Sequence, residues 1–170
     1  MRLGLIAALS ALLWTSIAAA QPAVEGRWTL VIHGGAGVIE RDRLTEAQDS
    51  EIRTALSEAL ETGSAILRNG GSSMDAIEAT VRVMEDNPNF NAGRVAVFTY
   101  DGDIEHDASI MDGTTRSAGA ITGSTQTRHP VTLARRVMTN SPHVFLSGSG
   151  ADQFSAEQGL EPVSYTHLTL

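Results

Sequence analysis

The Asp-Gly pair at residues 101–102 restricts the fold more than any other feature of this chain. It joins the apolar, β-rich run VAVFTY at residues 95–100 to a second strand-like run at residues 104–111. Asp-Gly between two such runs is a strong hairpin signal, because glycine adopts a positive φ without steric cost. A further Asp-Gly turn leads into the small-residue run at residues 117–122, which we predict as the next strand. Consecutive hairpins give antiparallel strands, so a simple alternating parallel sheet is disfavoured.

Two amphipathic helices are predicted ahead of this block. Residues 45–69 keep one apolar face, Thr45 and Gln48 can form a capping box, and a Gly-Gly pair ends the helix. Ser72 and Asp75 offer a second capping box for a helix that reaches about residue 85. The core face of this second helix is formed by Met74, Ile77, Val81 and Met84.

The rest of the chain completes a mixed pattern. WTLVIH at residues 28–33 is predicted as a buried strand, and Pro130 suits the first turn of a helix that ends near residue 139. A short strand at residues 144–147 and a short helix at residues 151–158 follow. This order indicates helices packed on mainly antiparallel strands, an α+β fold, and 170 residues suit one domain with a sizeable core.

Composition excludes several classes of function. The net charge is −8, from 12 basic and 20 acidic residues, which argues against a nucleic-acid groove because phosphates need clustered Lys and Arg. The chain has no cysteine, which excludes disulfides, thiol nucleophiles and Cys-ligated zinc. Its 5 histidines form no HxH or HxxxH pair, so a histidine metal site is not indicated.

Residues 1–20 have the pattern of a secretory signal. One Arg precedes an apolar run, and three alanines stand before Gln21 at the place of the cleavage site. We expect this segment to be removed and the mature chain to work in the periplasm or outside the cell. An uncleaved anchor is the alternative, although the apolar run is short for a membrane span.

Four motifs invite a chemical role, and each has a plainer interpretation. HGGAG at residues 33–37 could hold an anion with its backbone N–H groups, or it could be a tight turn; the Lys-Ser/Thr ending of a P-loop is absent. SGSG at residues 147–150 lacks the first glycine of a nucleophile elbow. The alternating carboxylates of residues 101–107 lack EF-hand spacing and are typical of the solvated face of a hairpin. Asn91 in FNAG is either bonded to its local backbone or a partly buried amide that orients a neighbour.

Long segments of the chain occur in the order and spacing of one family. They are HGGAG, GGSSMDAIEATVRVMEDNPNFNAGRVAVFT, DASIMDG, AGAITG, HPVTLARRVM and SPHVFLSGSGADQF. In these the chain resembles the isoaspartyl peptidase/L-asparaginases, the plant-type or type 2 asparaginases among the N-terminal nucleophile hydrolases, over residues 28–161. The related aspartylglucosaminidases share IMDGTT but lack the FNAG form, which favours the asparaginase branch.

The resemblance implies a four-layer αββα sandwich, of which this chain holds the N-terminal half. It implies hydrolysis of the side-chain amide of asparagine or of β-aspartyl peptide bonds, by a precursor that cuts itself into α and β subunits. The cut frees an N-terminal threonine, whose hydroxyl attacks the carbonyl while its own α-amine accepts the proton. No cofactor for catalysis is implied. The implied partners are the β subunit, a small-molecule or dipeptide substrate and a second αβ unit, but no nucleic acid.

The family's nucleophile lies in a GTVG-type motif that this sequence lacks. We therefore assign no catalytic residue in this chain and expect the polypeptide to be inactive by itself. None of six threonines considered as nucleophiles stands in such a motif: Thr45, Thr99, Thr114, Thr115, Thr122 and Thr132.

The resemblance carries over supporting structure. Gly34, Gly35 and Gly37 match the glycine loop beside the cleavage site, and Asn91 matches an Asn that contacts the nucleophile region. Backbone carbonyls of a further loop hold a structural sodium ion in the family, and carbonyl oxygens suit such a hard cation whatever the side chains are. The matching positions are Met84, Glu85, Asn87, Phe90, Ala92 and Arg94, of which Arg94 stands where an apolar or small residue is commoner.

The ending VSYTHLTL departs from the family, which continues here into a polar linker. The octapeptide can be encoded by read-through into a common transposase sequencing adapter. We therefore expect residues 164–170 to be non-native and residues 21–163 to be an α-subunit portion; a genuine β-rich tail is the alternative. Two other functions stay open, a glycosylasparagine amidase of the same superfamily and a binding protein that uses this scaffold without catalysis.

Overall fold

The structure, a computed structural model, describes residues 27–35 and 44–164. The expected leader at residues 1–20, Gly37 and most of the unusual tail lie outside the described residues. Within the two described ranges, no helix is long and apolar enough to cross a membrane.

Two helices joined by a tight turn lead into the sheet. Helix α1 spans Glu46–Arg68 and helix α2 spans Ser73–Asp86. The predicted capping box of α1 is present, because the Thr45 side chain accepts from the Gln48 N–H while the Gln48 side chain accepts from the Thr45 N–H. The Ser72 hydroxyl likewise accepts from the backbone of the first turn of α2. The sequence signals therefore place the start of both helices correctly.

The sheet has three strands, β1 (His106–Met111), β2 (Ala118–Ser124) and β3 (Phe145–Ser147), in that spatial order. Strands β1 and β2 are antiparallel, as their hairpin predicts, whereas β2 and β3 are parallel. The parallel pair needs a crossover, and helix α3 (Pro130–Asn140) supplies it; helix α4 (Gly148–Glu157) follows β3. The expectation of mainly antiparallel strands is therefore wrong for this sheet, which is mixed.

Helices α3 and α4 cover one face of the sheet. Their contact with β2 is close, since a side chain at Gly119 would run into the backbone carbonyl of Ala134 on α3. One buried cluster joins β2 to both helices through Ile121, Leu133, Val137 and Ala151. A second cluster joins β1 to α3 through Ile110, Val131 and Ala134, with Met74, Ile77 and Val81 of α2 packed against it. The core therefore lies between the sheet and its helices.

No described helix covers the other face of the sheet. Ser109, Ala120 and Phe145 are register partners across the three strands, and the Phe145 side chain is 52% exposed. Met111 on the same strand as Ser109 is 54% exposed. The part of the chain that the structure describes is thus a mixed α/β unit with a small sheet and four helices.

The run at residues 28–33 does not form the predicted buried strand. Its backbone pairs with no strand among the described residues, Val31 is 82% exposed and Trp28 is 41% exposed. An apolar β-rich run becomes a strand only when a neighbouring strand takes up its hydrogen bonds. Within the described ranges, no such neighbour lies beside it.

The run at residues 95–100 also departs from its prediction. A short 3-10 helix, Gly93–Val95, occupies its start, and only a single bridge between Phe98 and Ile104 remains of the expected pairing. The turn itself is confirmed, since Gly102 has φ +88° and its N–H donates to Thr99 O at 3.1 Å. The positive φ of Gly93 (+57°) turns the backbone just before the run, which shortens the hairpin.

Candidate functional site

The loop that follows α2 brings together most of the positions that the sequence singles out. Asn87 caps the end of α2, and the Phe90 N–H donates to Asn87 O at 3.2 Å, which closes a turn. Phe90 is only 3% exposed, so its ring anchors the loop. The turn leaves the next residue, Asn91, exposed at the tip.

The glycine segment lies against this loop. A β-carbon at Gly34 would come within 3.6 Å of the Phe90 ring, and one at Gly35 would come within 3.2 Å of Asn91 Oδ1. Gly35 has φ +115°, a conformation that residues with side chains rarely adopt, and its N–H donates to His33 Nδ1 at 3.2 Å. The structure therefore places Gly34 and Gly35 beside Asn91.

The loop has two arms, one before Phe90 and one after it, and they come into contact at Gly93. A β-carbon there would lie 2.5 Å from the backbone oxygen of Glu85 and 2.8 Å from its Cβ, and Gly93 is buried with φ +57°. Only glycine fits such a close approach of backbone to backbone. The contact brings the carbonyl-bearing segments on either side of Phe90 together.

The Glu85 side chain is buried and bonds to the first turn of α3. The residue is 3% exposed, and Oε1 accepts a hydrogen bond from the backbone N–H of Val131 at 2.9 Å. Burial raises the pKa of Glu85 to about 8, and the hydrogen bond from Val131 offsets only part of this effect. The carboxyl therefore holds its proton at neutral pH. Oε2 has no partner among the described residues.

His106, at the start of β1, is the second buried polar group near the loop. It is 3% exposed, and Nε2 lies 2.7 Å from the backbone oxygen of Gly93. A carbonyl only accepts, so Nε2 carries the hydrogen and donates it. Burial lowers the pKa of His106, which leaves the imidazole neutral and Nδ1 an acceptor. Nδ1 finds no partner within the described ranges.

A cleft of about 340 Å³ runs along β1 past these groups. Its walls include Glu85, Asn91, Gly93, His106 and Val131. Glu105 and Asp107 also line it. The Asp107 carboxylate already has hydrogen-bond partners, because it accepts from the Thr122 hydroxyl at 2.6 Å and from the Gly123 N–H at 3.1 Å. The carboxylates of the hairpin thus belong to its solvated side, as the sequence predicts.

The loop carries backbone carbonyls that retain acceptor capacity beyond their hydrogen bonds. Hydrogen bonds occupy one lone pair of the oxygens of Met84, Asn87 and Ala92, and a carbonyl has two. The Gly93 crossing brings the Glu85 oxygen against the opposite arm. The described residues contain no group of three or more His, Cys, Asp or Glu side chains that could hold a metal ion. An all-carbonyl set suits an alkali ion better than a transition metal.

The Arg94 side chain forms a hydrogen bond at the edge of this loop. Its Nη2 donates to the backbone oxygen of Asp86 at 3.2 Å, so the guanidinium bonds to a carbonyl outside the set that matches the sodium-binding positions. The departure at this position therefore adds a link between the two arms.

From the sequence, Glu85 is named only for its backbone carbonyl and His106 is given no role, so the buried side-chain contacts of both residues were missed, although a signal exists for each. Glu85 follows Ile77 and Val81 at spacings of four, which places a carboxylate on the apolar stripe of α2. His106 alternates with Ala108 and Ile110, which places it on the core face of β1. A charged or polar residue in step with a core face indicates a buried polar contact.

Comparison with known proteins identifies the family. The family model described as asparaginase matches residues 26–169, most of the chain. The chain belongs to the asparaginase family. It is 47% identical over 135 residues to the isoaspartyl peptidase of Salmonella typhimurium, which covers 79% of this chain and 43% of that protein. It is 44% identical over 135 residues to the isoaspartyl peptidase/L-asparaginase of Homo sapiens, covering 79% of this chain and 42% of that protein.

A plant relative gives the same picture. The probable isoaspartyl peptidase/L-asparaginase 2 of Arabidopsis thaliana is 41% identical over 138 residues, or 81% of this chain and 42% of that protein. The chain therefore spans less than half the length of these relatives. The resemblance inferred from the sequence motifs is confirmed.

Proposed function

We propose that this chain is the N-terminal portion of a self-cleaving amidohydrolase that acts on L-asparagine, on β-aspartyl peptides or on both. The observation that carries the proposal is the juxtaposition of Gly35 and Asn91, at 3.2 Å between a built β-carbon and Oδ1, in a chain of the asparaginase family. These two positions match the glycine loop beside the cleavage site and the Asn that contacts the nucleophile region.

The proposed reaction is acyl transfer through an N-terminal threonine that this chain does not contain. The threonine hydroxyl attacks the side-chain carbonyl while its α-amine takes the proton. The C–N bond then breaks as that proton passes to the leaving nitrogen, which departs as ammonia or an amino acid. Water then hydrolyses the acyl-threonine and restores the hydroxyl. Asn91 stands at an exposed loop tip, and its amide would orient the nucleophile region from there.

The open face of the sheet supports a further layer of structure. Phe145 and Met111 are each more than half exposed on a face that the described helices leave uncovered. Apolar side chains on an open sheet face favour burial against a second sheet. We propose that the β-subunit segment supplies that sheet, which completes a four-layer αββα sandwich, and that two αβ units pair.

The loop from Met84 to Arg94 would hold a structural sodium ion through its carbonyls. The acceptor capacity that the Met84, Asn87 and Ala92 carbonyls retain supports this proposal, and the ion would stabilise the loop that carries Asn91. The ion takes no part in the chemistry. The signal-peptide pattern of residues 1–20 supports the proposal that the protein is exported to the periplasm or out of the cell.

The test uses the full-length natural protein. Self-cleavage is followed by gel electrophoresis and N-terminal sequencing, which should find threonine at the new terminus. Ammonia release from L-asparagine and amino-acid release from a β-aspartyl dipeptide should both depend on that cleavage. The 170-residue chain should release neither product. Preference for glycan-linked asparagine would point to a glycosylasparagine amidase instead, and an intact, inactive full-length protein would point to a binding function.

A further inference from the structure

His106 contacts the proposed cation loop from outside it. The residue opens β1, where a bulge separates His106 from Ala108, and it is only 3% exposed. Its Nε2–H donates to the Gly93 carbonyl at 2.7 Å, across 13 residues of sequence. The hydrogen bond therefore ties the sheet to one arm of the loop.

Gly93 is the position at which such a tie has most effect. It lies between Ala92 and Arg94, whose carbonyls both belong to the proposed ring around the ion. The Gly93 carbonyl already accepts a hydrogen bond from the Ala96 N–H at 3.0 Å within the 3-10 turn, and the hydrogen bond from His106 occupies its second lone pair. The two hydrogen bonds together fix the peptide plane that joins Gly93 to Arg94, and the one from His106 ties that plane to β1, which limits the orientation of the carbonyls before and after it.

The opposite arm has its own external tie. Glu85 Oε1 accepts from the Val131 N–H of α3 at 2.9 Å, and Glu85 also contributes a carbonyl to the proposed ring. Each arm of the loop is thus fixed by one buried side-chain hydrogen bond to a different element. The two arms meet where Gly93 packs against the Glu85 backbone.

A purely packing role would not need a histidine. The neutral imidazole leaves Nδ1 buried and without a partner among the described residues, which costs free energy that a leucine at this place would avoid. The hydrogen bond from Nε2 to the Gly93 carbonyl offsets part of this cost. The effect of this hydrogen bond is then to hold the loop backbone in a fixed orientation at Gly93.

We propose that His106 is a positioning residue for cation binding: through the Gly93 carbonyl it orients the Ala92 and Arg94 carbonyls toward the ion. The inference rests on the proposed cation loop and deepens it. In other metal sites, partners of this kind raise metal affinity by about 10- to 100-fold. The ligand is an alkali cation of sodium's size, and the loop alone supplies the protein oxygens.

The test measures sodium binding by the full-length protein, with ²³Na NMR titration at constant ionic strength in choline chloride. His106→Leu removes the donor and should weaken sodium affinity by about tenfold or more. His106→Gln keeps a donor near the place of Nε2 and should restore the affinity to within about threefold. His106→Asn places its donor near Nδ1, out of reach of Gly93, and should behave as the leucine variant does. This pair keeps the test available if the leucine variant does not fold.

Ile110→Val is the matched control, since it loosens the core on the same face of β1 without touching the loop. It should lower the melting temperature and leave sodium affinity unchanged.

Equal sodium affinity in the wild type and the leucine and asparagine variants would overturn the inference while the cation loop stands. A glutamine variant as weak as leucine would also overturn it. A wild type that binds no alkali ion would refute the loop itself, and sodium binding without hydrolysis would refute only the proposed activity.

Discussion

Glu85 Oε1 lies 2.9 Å from the backbone nitrogen of Val131, so a side chain at the end of α2 accepts a hydrogen bond from the first turn of α3. The start of α3 needs such a partner, because His129 at its N-cap makes no side-chain capping bond. Helices leave the N–H groups of their first turn without partners inside the helix. Pro130 has no N–H, which leaves Val131 as the first donor to be satisfied.

Glu85→Ala should destabilise the protein by about 2–3 kcal/mol, because it leaves the buried Val131 N–H without an acceptor. Glu85→Gln keeps an acceptor oxygen of the same reach and should cost less than about 1 kcal/mol. Urea unfolding followed by circular dichroism measures both. Equal losses in the two variants would mean that the hydrogen bond contributes nothing beyond packing.

Gly93→Ala should destabilise the loop far more than Gly102→Ala. Both glycines have positive φ, at +57° and +88°, so both substitutions strain the backbone by about 1–2 kcal/mol. Only at Gly93 would the new β-carbon meet backbone atoms, with Glu85 O at 2.5 Å, whereas nothing lies within 4 Å at Gly102. We expect the Gly93 variant to lose at least about 2 kcal/mol more in thermal unfolding. Similar melting temperatures for the two variants would contradict the close crossing of the loop arms.

Acid should weaken the contact between α2 and α3 through Glu78. Burial acts to raise the pKa of Glu78, but hydrogen bonds from the Thr132 hydroxyl and the Arg135 guanidinium, both at 2.6 Å, lower it below its ordinary value of 4.5. The unfolded chain therefore binds the proton more readily than the folded one. The stability that Glu78 contributes is present above pH 4.5 and is lost as the pH falls through the lower, folded-state value.

Glu78→Gln should accordingly flatten the decline of stability between about pH 5 and pH 3. Thr132→Val removes one of the two donors and should flatten the decline in part. Urea unfolding at several pH values measures the slope for each protein. If the glutamine variant loses stability with acid as steeply as the wild type, other carboxylates govern the decline.

The local signals in the sequence predict the helices and turns of this chain well. The Thr45 capping box, the Ser72 cap and the Gly70 stop at φ +77° all depend on neighbours within a few residues. The hairpin between β1 and β2 is equally local, and its antiparallel pairing is confirmed.

The features that the sequence predicts poorly depend on distant partners. The run at residues 28–33 has the composition of a buried strand, yet no described strand lies beside it. β3 pairs in parallel with β2 only because α3 carries the chain across, which no turn signal reports. In the site, a sequence motif identifies Asn91. The roles of Glu85 and His106 depend on hydrogen bonds to residues 46 and 13 positions away along the chain, which no local motif predicts.

Asn91→Ala in the full-length protein should reduce the rate of hydrolysis by about 10- to 100-fold while leaving stability nearly unchanged. Asn91 is exposed, so little packing is lost, but its amide stands beside Gly35 in the segment that matches the surroundings of the nucleophile. A misplacement of reacting groups by about 1 Å is enough for a loss of this size. Asn89→Ala is the matched control, because Asn89 is exposed in the same loop and its amide donates only to Asn87. The rate of ammonia release and the melting temperature are measured for both, and equal rates in the two variants would remove Asn91 from the site.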